Sequence, residues 1–400
     1  MSRSIEDVHI LSSCRTPIGG FMGALKEIPA TTLGTIVARE AVSRADLRPE
    51  RVQEVIFGNV LTAGLGQAPA RQVQLGANVP VTAGALTINK VCGSGLKAVI
   101  LGAQAIMLED HDCVLVGGME SMSRAPYALE GARDGIGFGG EELVDTMIHD
   151  GLRDAHTGEH MGQTAELVAE EFDISREEQD RFALRSHRRA VEAWSNGVFE
   201  REVVPVETPD APDGDTCKND ERPRADTSMD DLAALSPAFQ EEGTVTAGNA
   251  SGISDGASAL VMASRSFVER HDLSSQVCLT GYATGGVEPE RVMLAPIDTV
   301  QRHERKWDIS VEDMDLIEIN EAFSVQGCCL RDRMNLPEDR LNVHGGAVAL
   351  GHPIGCTGAR IMTTLINALH WHNERQGLAA LCLGGGNGVS VSVRKTDRYN

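Results

Sequence analysis

An α/β protein of two similarly built halves is predicted by three observations. Short Val/Ile/Leu runs alternate with stretches of helical period, glycine-rich turns close those runs, and the order of elements in the first half returns in the second. In the first half VQEVIFGNV (52–60) reads as a strand, CGSGLKAVILGAQAI (92–106) as a glycine turn entering a helix, and CVLVGGMES (113–121) as a buried strand closed by glycines. In the second, DMDLIEINEAF (313–323), GCTGARIMTTLINAL (355–369) and AALCLGGGNG (379–388) keep that order. Apolar strand runs without polar alternation belong to sheets covered on both faces.

Each element has a local reason. After Cys92, residues Leu96, Val99, Ile100, Ala103, Ile106 and Met107 fall on one stripe at helical spacing, so Cys92 precedes or opens a buried helix. The middle of the chain, about 122–247, is more charged and richer in loops. Within it SREEQDRFALRSHRRAVEAW (175–194) reads as a helix capped by Ser175, and the Pro/Asp-rich stretch 210–224 as surface. The first half resumes at GTVTAGNASGISDGASALVMAS (243–264), and the second begins near Leu273. The expected division is 1–121 with 248–272, an inserted segment 122–247, and 273–400.

The bulk composition narrows the function classes. With 400 residues, 42% hydrophobic content and 42 glycines, the chain has enough apolar material for two or three turn-rich, packed units. The formal charge is −22, with 30 Arg but only 6 Lys. So acidic a chain is not built for general binding to nucleic acid or to an anionic membrane. The charge fits either a salty cytoplasm or a genome that favours Arg and Asp. MSRSIEDVHILSS has no basic segment ahead of an apolar one, so no signal peptide is expected. No uninterrupted apolar window of about 18 residues occurs; the best candidate, 91–108, is broken by Lys97 and Gln104. Nine cysteines without a CxxC pair read as reduced thiols, which points to a cytoplasmic location. No His/Cys/Asp spacing resembles a metal site, and neither GLGQ nor GGGNG is a dinucleotide fingerprint.

Two cysteines in different glycine-rich turns, Cys92 and Cys382, with His352 in a third turn (GHPIG), suggest a nucleophile and a separate base. A cysteine attacks as thiolate, and an ordinary thiol pKa of about 8.5 leaves little of it at neutral pH. A helix N-terminus and a neighbouring His are the usual remedies. Taken singly, a Cys before a helix is more often a small buried residue, and a His beside Pro a turn residue.

Together, NKVCGSGLKA, GGMESMSRAPY, HMGQTAE, GTVTAGNASGISDGA, NEAF, NVHGGAVALGHPIGCTGAR and CLGGGNG resemble the thiolase family in family order, from residue 15 to 388. The resemblance implies a thiolase fold: two α/β halves in a five-layer α-β-α-β-α arrangement, with an inserted loop domain over the site. It implies that Cys92 takes the acyl group, that His352 activates it, and that Cys382 removes a proton from the methyl of acetyl-CoA. Asn320 would hold a water in one oxyanion hole with His352, and the N–H groups of Cys92 and Gly384 would form another. For coenzyme A, a substrate and product with no permanently bound cofactor implied, it points to Arg224, Ser251, His160 and Met161. Phe323 and Met161 fit a short acyl pocket. The partners implied are acetyl-CoA, acetoacetyl-CoA, CoA and further copies of the chain, as a dimer burying GGMESM or a tetramer formed through the inserted segment.

The Arg181, Arg185, Arg188 and Arg189 cluster reads better as a solvated face pairing with Glu177, Glu178 and Glu192 than as a CoA site. Cys328 and Cys329 read as buried small residues, and the resemblance gives Cys356, close to His352, no role. The stretch RVMLAPIDTV (291–300) departs from the family's acetoacetyl-specific pattern, with Ala295 where a Gly would stand and Met293 shifted. Two enzyme readings therefore stay open: condensation of two acetyl-CoA to acetoacetyl-CoA with its reverse, or a broader 3-ketoacyl-CoA thiolase. A ketoacyl synthase shares the fold but needs no second thiol in a CxGGG turn. A silent acyl-CoA-binding relative would have lost Cys92, His352 or Cys382.

Overall fold

The computed structural model describes residues 3–208 and 216–396, so positions 210–215 of the Pro/Asp-rich stretch lie outside the described residues. The core strands are β1 (Val8–Arg15), β2 (Glu54–Gly58), β3 (Gly84–Ile88), β4 (Cys113–Ser121), β5 (Ser254–Ser264), β6 (Val277–Gly286), β7 (Leu316–Ile319), β8 (Gln376–Leu383) and β9 (Asn387–Lys395). The principal helices are α1 (Ala30–Arg44), α2 (Pro69–Gly76), α3 (Ser94–Met107), α4 (Met161–Glu171), α5 (Arg176–Ser195), α6 (Ala295–Trp307), α7 (Ser324–Arg333) and α8 (Ile354–Trp371).

The repeat seen in the sequence is a repeat of topology. In the first half β2 and β4 pair in parallel, β5 runs antiparallel beside β4, and β1 lies beside β5. In the second half β7 and β8 pair in parallel, β9 runs antiparallel beside β8, and β6 beside β9. The halves join where His9 and Ile10 pair with Cys278 and Val277, giving the order β7-β8-β9-β6-β1-β5-β4-β2-β3. This seam is two residue pairs long, so each half keeps its own packing partners.

Helices α3 and α8 pack on each other and touch strands of both halves. They form the middle layer, with α1 and α2 outside the first half-sheet and α6 outside the second. The five-layer order follows from these contacts. Leu96, Val99, Ile100, Ala103 and Ile106 of α3 are buried against Ile361, Met362 and Leu365 of α8 and against Val116, Leu260 and Val391 of the strands. Met107 at the end of the predicted stripe is only partly buried. Close approach of the two helices depends on missing side chains: a Cβ on Gly95 would come within 2.5 Å of Ala359 N, and one on Gly358 would fall on Leu96 N.

The middle of the chain, 122–247, is anchored to β1 by charge. Arg15, 0% exposed at the end of β1, donates to Glu202 Oε1 at 2.5 Å and to Asp220 at 2.7 and 3.0 Å, and stacks 4.9 Å over the Phe199 ring. Both carboxylates lie in this middle stretch, so the buried triad ties it to the core; removing one member would leave an unpaired buried charge. Helix α5 starts as expected, with Ser175 accepting from Glu178 N and Glu178 bonding back to Ser175 N. Its arginines divide: Arg181 pairs with Glu177 in solvent, whereas Arg185 pairs with Glu338, and Arg189 donates to the Leu341 and Glu338 carbonyls. The latter two are therefore braces against the second half. Within the single chain Gly117 to Met122 are already buried, and Gly117 to Ser121 pair with β5.

Burial also sets the acid limb of stability. His187, His303 and His370 are depressed to about 4, and His344 and His352 to about 3, all chiefly by burial. An unfolded His titrates near about 6.5. Between roughly pH 4.5 and 6.5 the unfolded chain therefore binds protons at these five sites that the folded chain refuses. Glu120 and Glu318, raised by burial to about 7 and about 8, and Asp255, also raised by burial, run the other way, but they number three against five. Stability is expected to rise with pH through this window, and the urea midpoint to be clearly lower at pH 5 than at pH 7. Equal midpoints would mean that these histidines accept protons in the folded state.

Candidate active site

The Cys92 turn is held by its own motif. Asn89 Oδ1 accepts Val91 N–H at 2.9 Å, while Ser94 Oγ accepts Lys90 N–H at 2.8 Å and donates to Val91 O at 2.7 Å. These bonds hold Val91 at φ +45°, a left-handed conformation unfavourable for a β-branched residue and worth about 1–3 kcal/mol of strain. A Cβ on Gly93 would strike Leu383, so the turn sits directly against the end of β8. Lys90 Nζ reaches Asn387 Oδ1 at 3.0 Å and ties this turn to GGGNG.

His352 lies in the corresponding turn of the other half, just ahead of α8. Its N–H donates to Gly252 O at 3.1 Å, and its Nδ1 lies 2.7 Å from Thr357 Oγ1. Thr357 donates its own proton to Pro353 O at 2.9 Å. The hydroxyl must therefore accept from Nδ1–H, which leaves Nε2 as the unprotonated nitrogen. Asn320 Nδ2 stands 3.5 Å from that nitrogen. Burial, and secondarily the Arg360 guanidinium, holds His352 down at about 3, so it is neutral at physiological pH.

Burial outweighs the helix N-terminus at Cys92. Its thiol is pushed up to about 12, although Gly384 N–H and its own N–H both donate toward the sulfur. The resting pair is thus thiol and neutral imidazole, not the thiolate that the helix dipole alone suggested. Cys382, 4% exposed at the end of β8, is also raised, first by burial and next by the neighbouring Cys92.

One cavity of about 430 Å³ gathers these groups. Cys92, His352, Cys382, Gly384, Ser251, His160, Met161 and Phe323 all line it. Asn320 is 1% exposed and reaches the site through His352. Arg224 is exposed and outside the lining; its N–H donates to His187 Nδ1 at 3.2 Å, and Arg222 is the guanidinium that lines the cavity instead. His160 caps α4, with Nδ1 accepting Gly162 N–H at 3.1 Å, so its role as a helix cap and its place in the cavity are compatible. Both Val292 and Met293 face the cavity, so the divergent stretch is part of its wall.

Three wall or support residues were not singled out in the sequence. Phe239 stacks on His160 at 4.9 Å and meets Phe323 edge-on at 6.2 Å, completing an aromatic side of the cavity. Glu120 accepts from Asn59 Nδ2, Val60 N, Leu61 N and Gly355 N at 2.7–3.1 Å, coupling the loop after β2 to the start of α8. Gln326 donates to Cys382 Sγ at 3.2 Å. Glu120 stood inside a quoted motif, GGMES, where a buried acid among glycines was a usable signal; Phe239 and Gln326 carried none. Among the described residues, no group of three or more His, Cys, Asp or Glu could hold a metal, all nine cysteines are free, and no helix is long and apolar enough to cross a membrane.

Fold and site together define a duplicated α/β protein that brings two thiols and a neutral imidazole into one apolar cavity. The family models described as thiolase, N-terminal domain, and thiolase, C-terminal domain, match residues 8–266 and 273–395. The chain belongs to the thiolase family. It is 46% identical over 392 residues to the acetyl-CoA acetyltransferase of Cupriavidus necator, covering 98% of this chain and 100% of that protein. Its fold matches the crystal structure of the Bacillus anthracis acetyl-CoA acetyltransferase with a TM-score of 0.95 at 40% identity, over 97% and 98% of the two chains. It matches human mitochondrial 3-ketoacyl-CoA thiolase in complex with CoA with a TM-score of 0.94 at 38% identity, over the same shares.

Proposed function

We propose that this chain is an acetyl-CoA C-acetyltransferase, which condenses two acetyl-CoA to acetoacetyl-CoA and CoA and catalyses the reverse thiolysis. The observation that carries the chemistry is the convergence of Cys92, His352 and Cys382 on one cavity with Gly384 N–H aimed at the Cys92 sulfur. The near-full-length identity to acetyl-CoA acetyltransferases supports the substrate.

Cys92 Sγ attacks the thioester carbonyl of the first acetyl-CoA as its proton passes to His352 Nε2. Because the resting groups are neutral, attack and proton transfer belong to one step, without a standing ion pair. The carbon–sulfur bond to CoA then breaks, and the departing CoA thiolate takes the proton of Cys382. That transfer leaves Cys382 as the thiolate needed next. It removes a proton from the methyl of the second acetyl-CoA, and the resulting enolate carbon attacks the acetyl group on Cys92. The Cys92 sulfur leaves with the proton held by His352, and all three groups regain their starting states. Negative charge on oxygen develops twice, and a lost donor at such a site lowers the rate by about 10²–10³. We assign one set of donors to Cys92 N–H and Gly384 N–H. The other is imidazolium Nε2–H with a water held by Asn320, whose Oδ1 has no partner among the described residues.

Arg222, Ser251, His160 and Phe239 are proposed to receive coenzyme A, with Arg224 near the mouth for its phosphates. The inserted segment 122–247 would form the cover over the site, between the halves 1–121 with 248–272 and 273–400. Nine free thiols suit a reducing, cytoplasmic setting. Assembly into a dimer or tetramer would cover the exposed edge strand β3, where Leu86 is 43% exposed, and the apolar residues Ile136 and Phe138.

The test is CoA-dependent cleavage of acetoacetyl-CoA beside a medium-chain 3-ketoacyl-CoA. A strong preference for the four-carbon substrate is expected, because Met161, Met293, Phe323 and Phe239 crowd the cavity. Equal or better cleavage of the longer chain would reassign the enzyme to broad 3-ketoacyl-CoA thiolysis, with 291–300 as the segment that makes room.

A further inference from the structure

Gln326 is 0% exposed in the first turn of α7, three residues beyond NEAF. Its carboxamide has one possible orientation. Oε1 accepts Ala322 N–H at 3.0 Å, and a backbone N–H offers no lone pair, so the oxygen must face it. The NH₂ end then faces Cys382 Sγ at 3.2 Å. Ala322 in turn accepts Ser251 N–H through its carbonyl at 3.0 Å, so the same clamp reaches the GNAS loop on the cavity wall.

We infer that Gln326 is a positioning residue that fixes the Cys382 sulfur over the cavity and stabilises its thiolate, and so governs the carbon–carbon bond-forming half of the reaction. The inference rests on the base role proposed above for Cys382. The physical need is clear from the surroundings. The Cys382 sulfur is enclosed, which opposes negative charge. A lysine or arginine there would form a lasting ion pair and leave the thiolate too weak a base for a thioester methyl group. A neutral amide donor strengthens as charge grows on sulfur and relaxes as the proton arrives, so it lowers the barrier in both directions without trapping either form.

The experiment uses the full-length enzyme with Gln326→Met and Gln326→Glu. Met keeps similar volume and removes the donor; Glu keeps an acceptor for Ala322 N–H and puts a carboxyl beside the sulfur. Condensation is expected to fall about 10- to 100-fold in Gln326→Met, the worth of one hydrogen bond to a charged group, and further in Gln326→Glu. The stoichiometry of acetyl-enzyme formed from acetyl-CoA should be unchanged. A second readout isolates the sulfur. In a Cys92→Ser background, the pH dependence of Cys382 alkylation by iodoacetamide, followed by peptide mass spectrometry, should move upward by about 1–2 pH units when Gln326 becomes Met. A merely structural glutamine would lower the melting temperature and both half-reactions together and leave that pH profile in place, which would overturn the inference. Cys382→Ala, measured alongside, separates the two ideas. If it still condenses, the base role itself fails; if it does not, while Gln326→Met condenses like the parent, only the role of Gln326 fails.

Discussion

Cys382→Ala is expected to take up one acetyl group per chain from acetyl-CoA yet to lose condensation and thiolysis by roughly 10²- to 10⁴-fold, the usual worth of a positioned acid or base. Cys92→Ala is expected to lose acyl uptake and turnover alike, because it removes the sulfur toward which Gly384 N–H points. The asymmetry follows from the pairing of each thiol. Cys92 shares its cavity wall with the neutral His352, to which its proton is proposed to pass, whereas Cys382 has the Gln326 amide 3.2 Å from its sulfur. A thioester tolerates departure of CoA thiolate without an acid partner far better than a methyl group tolerates the absence of a base. Radiolabelled acetyl-CoA and quench-flow would separate the two steps. Equal loss of acyl uptake in both variants would refute the division of labour.

Gly358→Ala should disable the protein from a distance. In an exposed helix this change would gain about 1 kcal/mol from propensity alone. Here the new Cβ would fall on Leu96 N and press on the Leu96 side chain, where α8 crosses α3 in the middle layer. Backbone cannot rotate away as a side-chain tip can, so the helices must separate, at a cost of about 1–3 kcal/mol beyond the lost propensity gain. Both Cys92 and His352 stand at the N-terminal ends of these two helices, so separation displaces the proposed nucleophile and base from each other. A displacement of about 1 Å is enough to lower the rate about 10²-fold. A lowered urea midpoint together with slowed acyl uptake is expected, against no change for Gly140→Ala, where an added Cβ meets nothing within 4 Å. Parent-like stability and acylation in Gly358→Ala would show that the middle layer can open without moving the site.

Much of the fold was legible because its signals are local. The α3 stripe from Leu96 to Ile106, the Ser175 cap with Glu178 three residues on, and the repeated strand–helix–strand order all lie within short windows. That Cys92, His352 and Cys382 would share one cavity was legible for a similar reason, since each stands in a glycine-rich turn where backbone crowds close. The Arg224 assignment is different in kind. Two arginines lie two residues apart, and only the path of the chain decides that Arg222 lines the cavity and Arg224 faces solvent. Arg185 and Arg189 likewise look like a solvated stripe until the loop at 338–342 is laid against them.

By itself, then, the sequence determined the α/β class, the duplication, the membership of the motifs and the identity of the two thiols and the imidazole. These depend on period, turn chemistry and residue type, which are properties of neighbours along the chain. Only the tertiary structure decided the protonation states, the orientation of the Gln326 amide, the aromatic wall at Phe239 and the four-donor seat of Glu120. Those depend on desolvation and on hydrogen bonds between groups far apart in sequence, and burial there was strong enough to reverse the thiolate that the helix terminus alone would favour at Cys92.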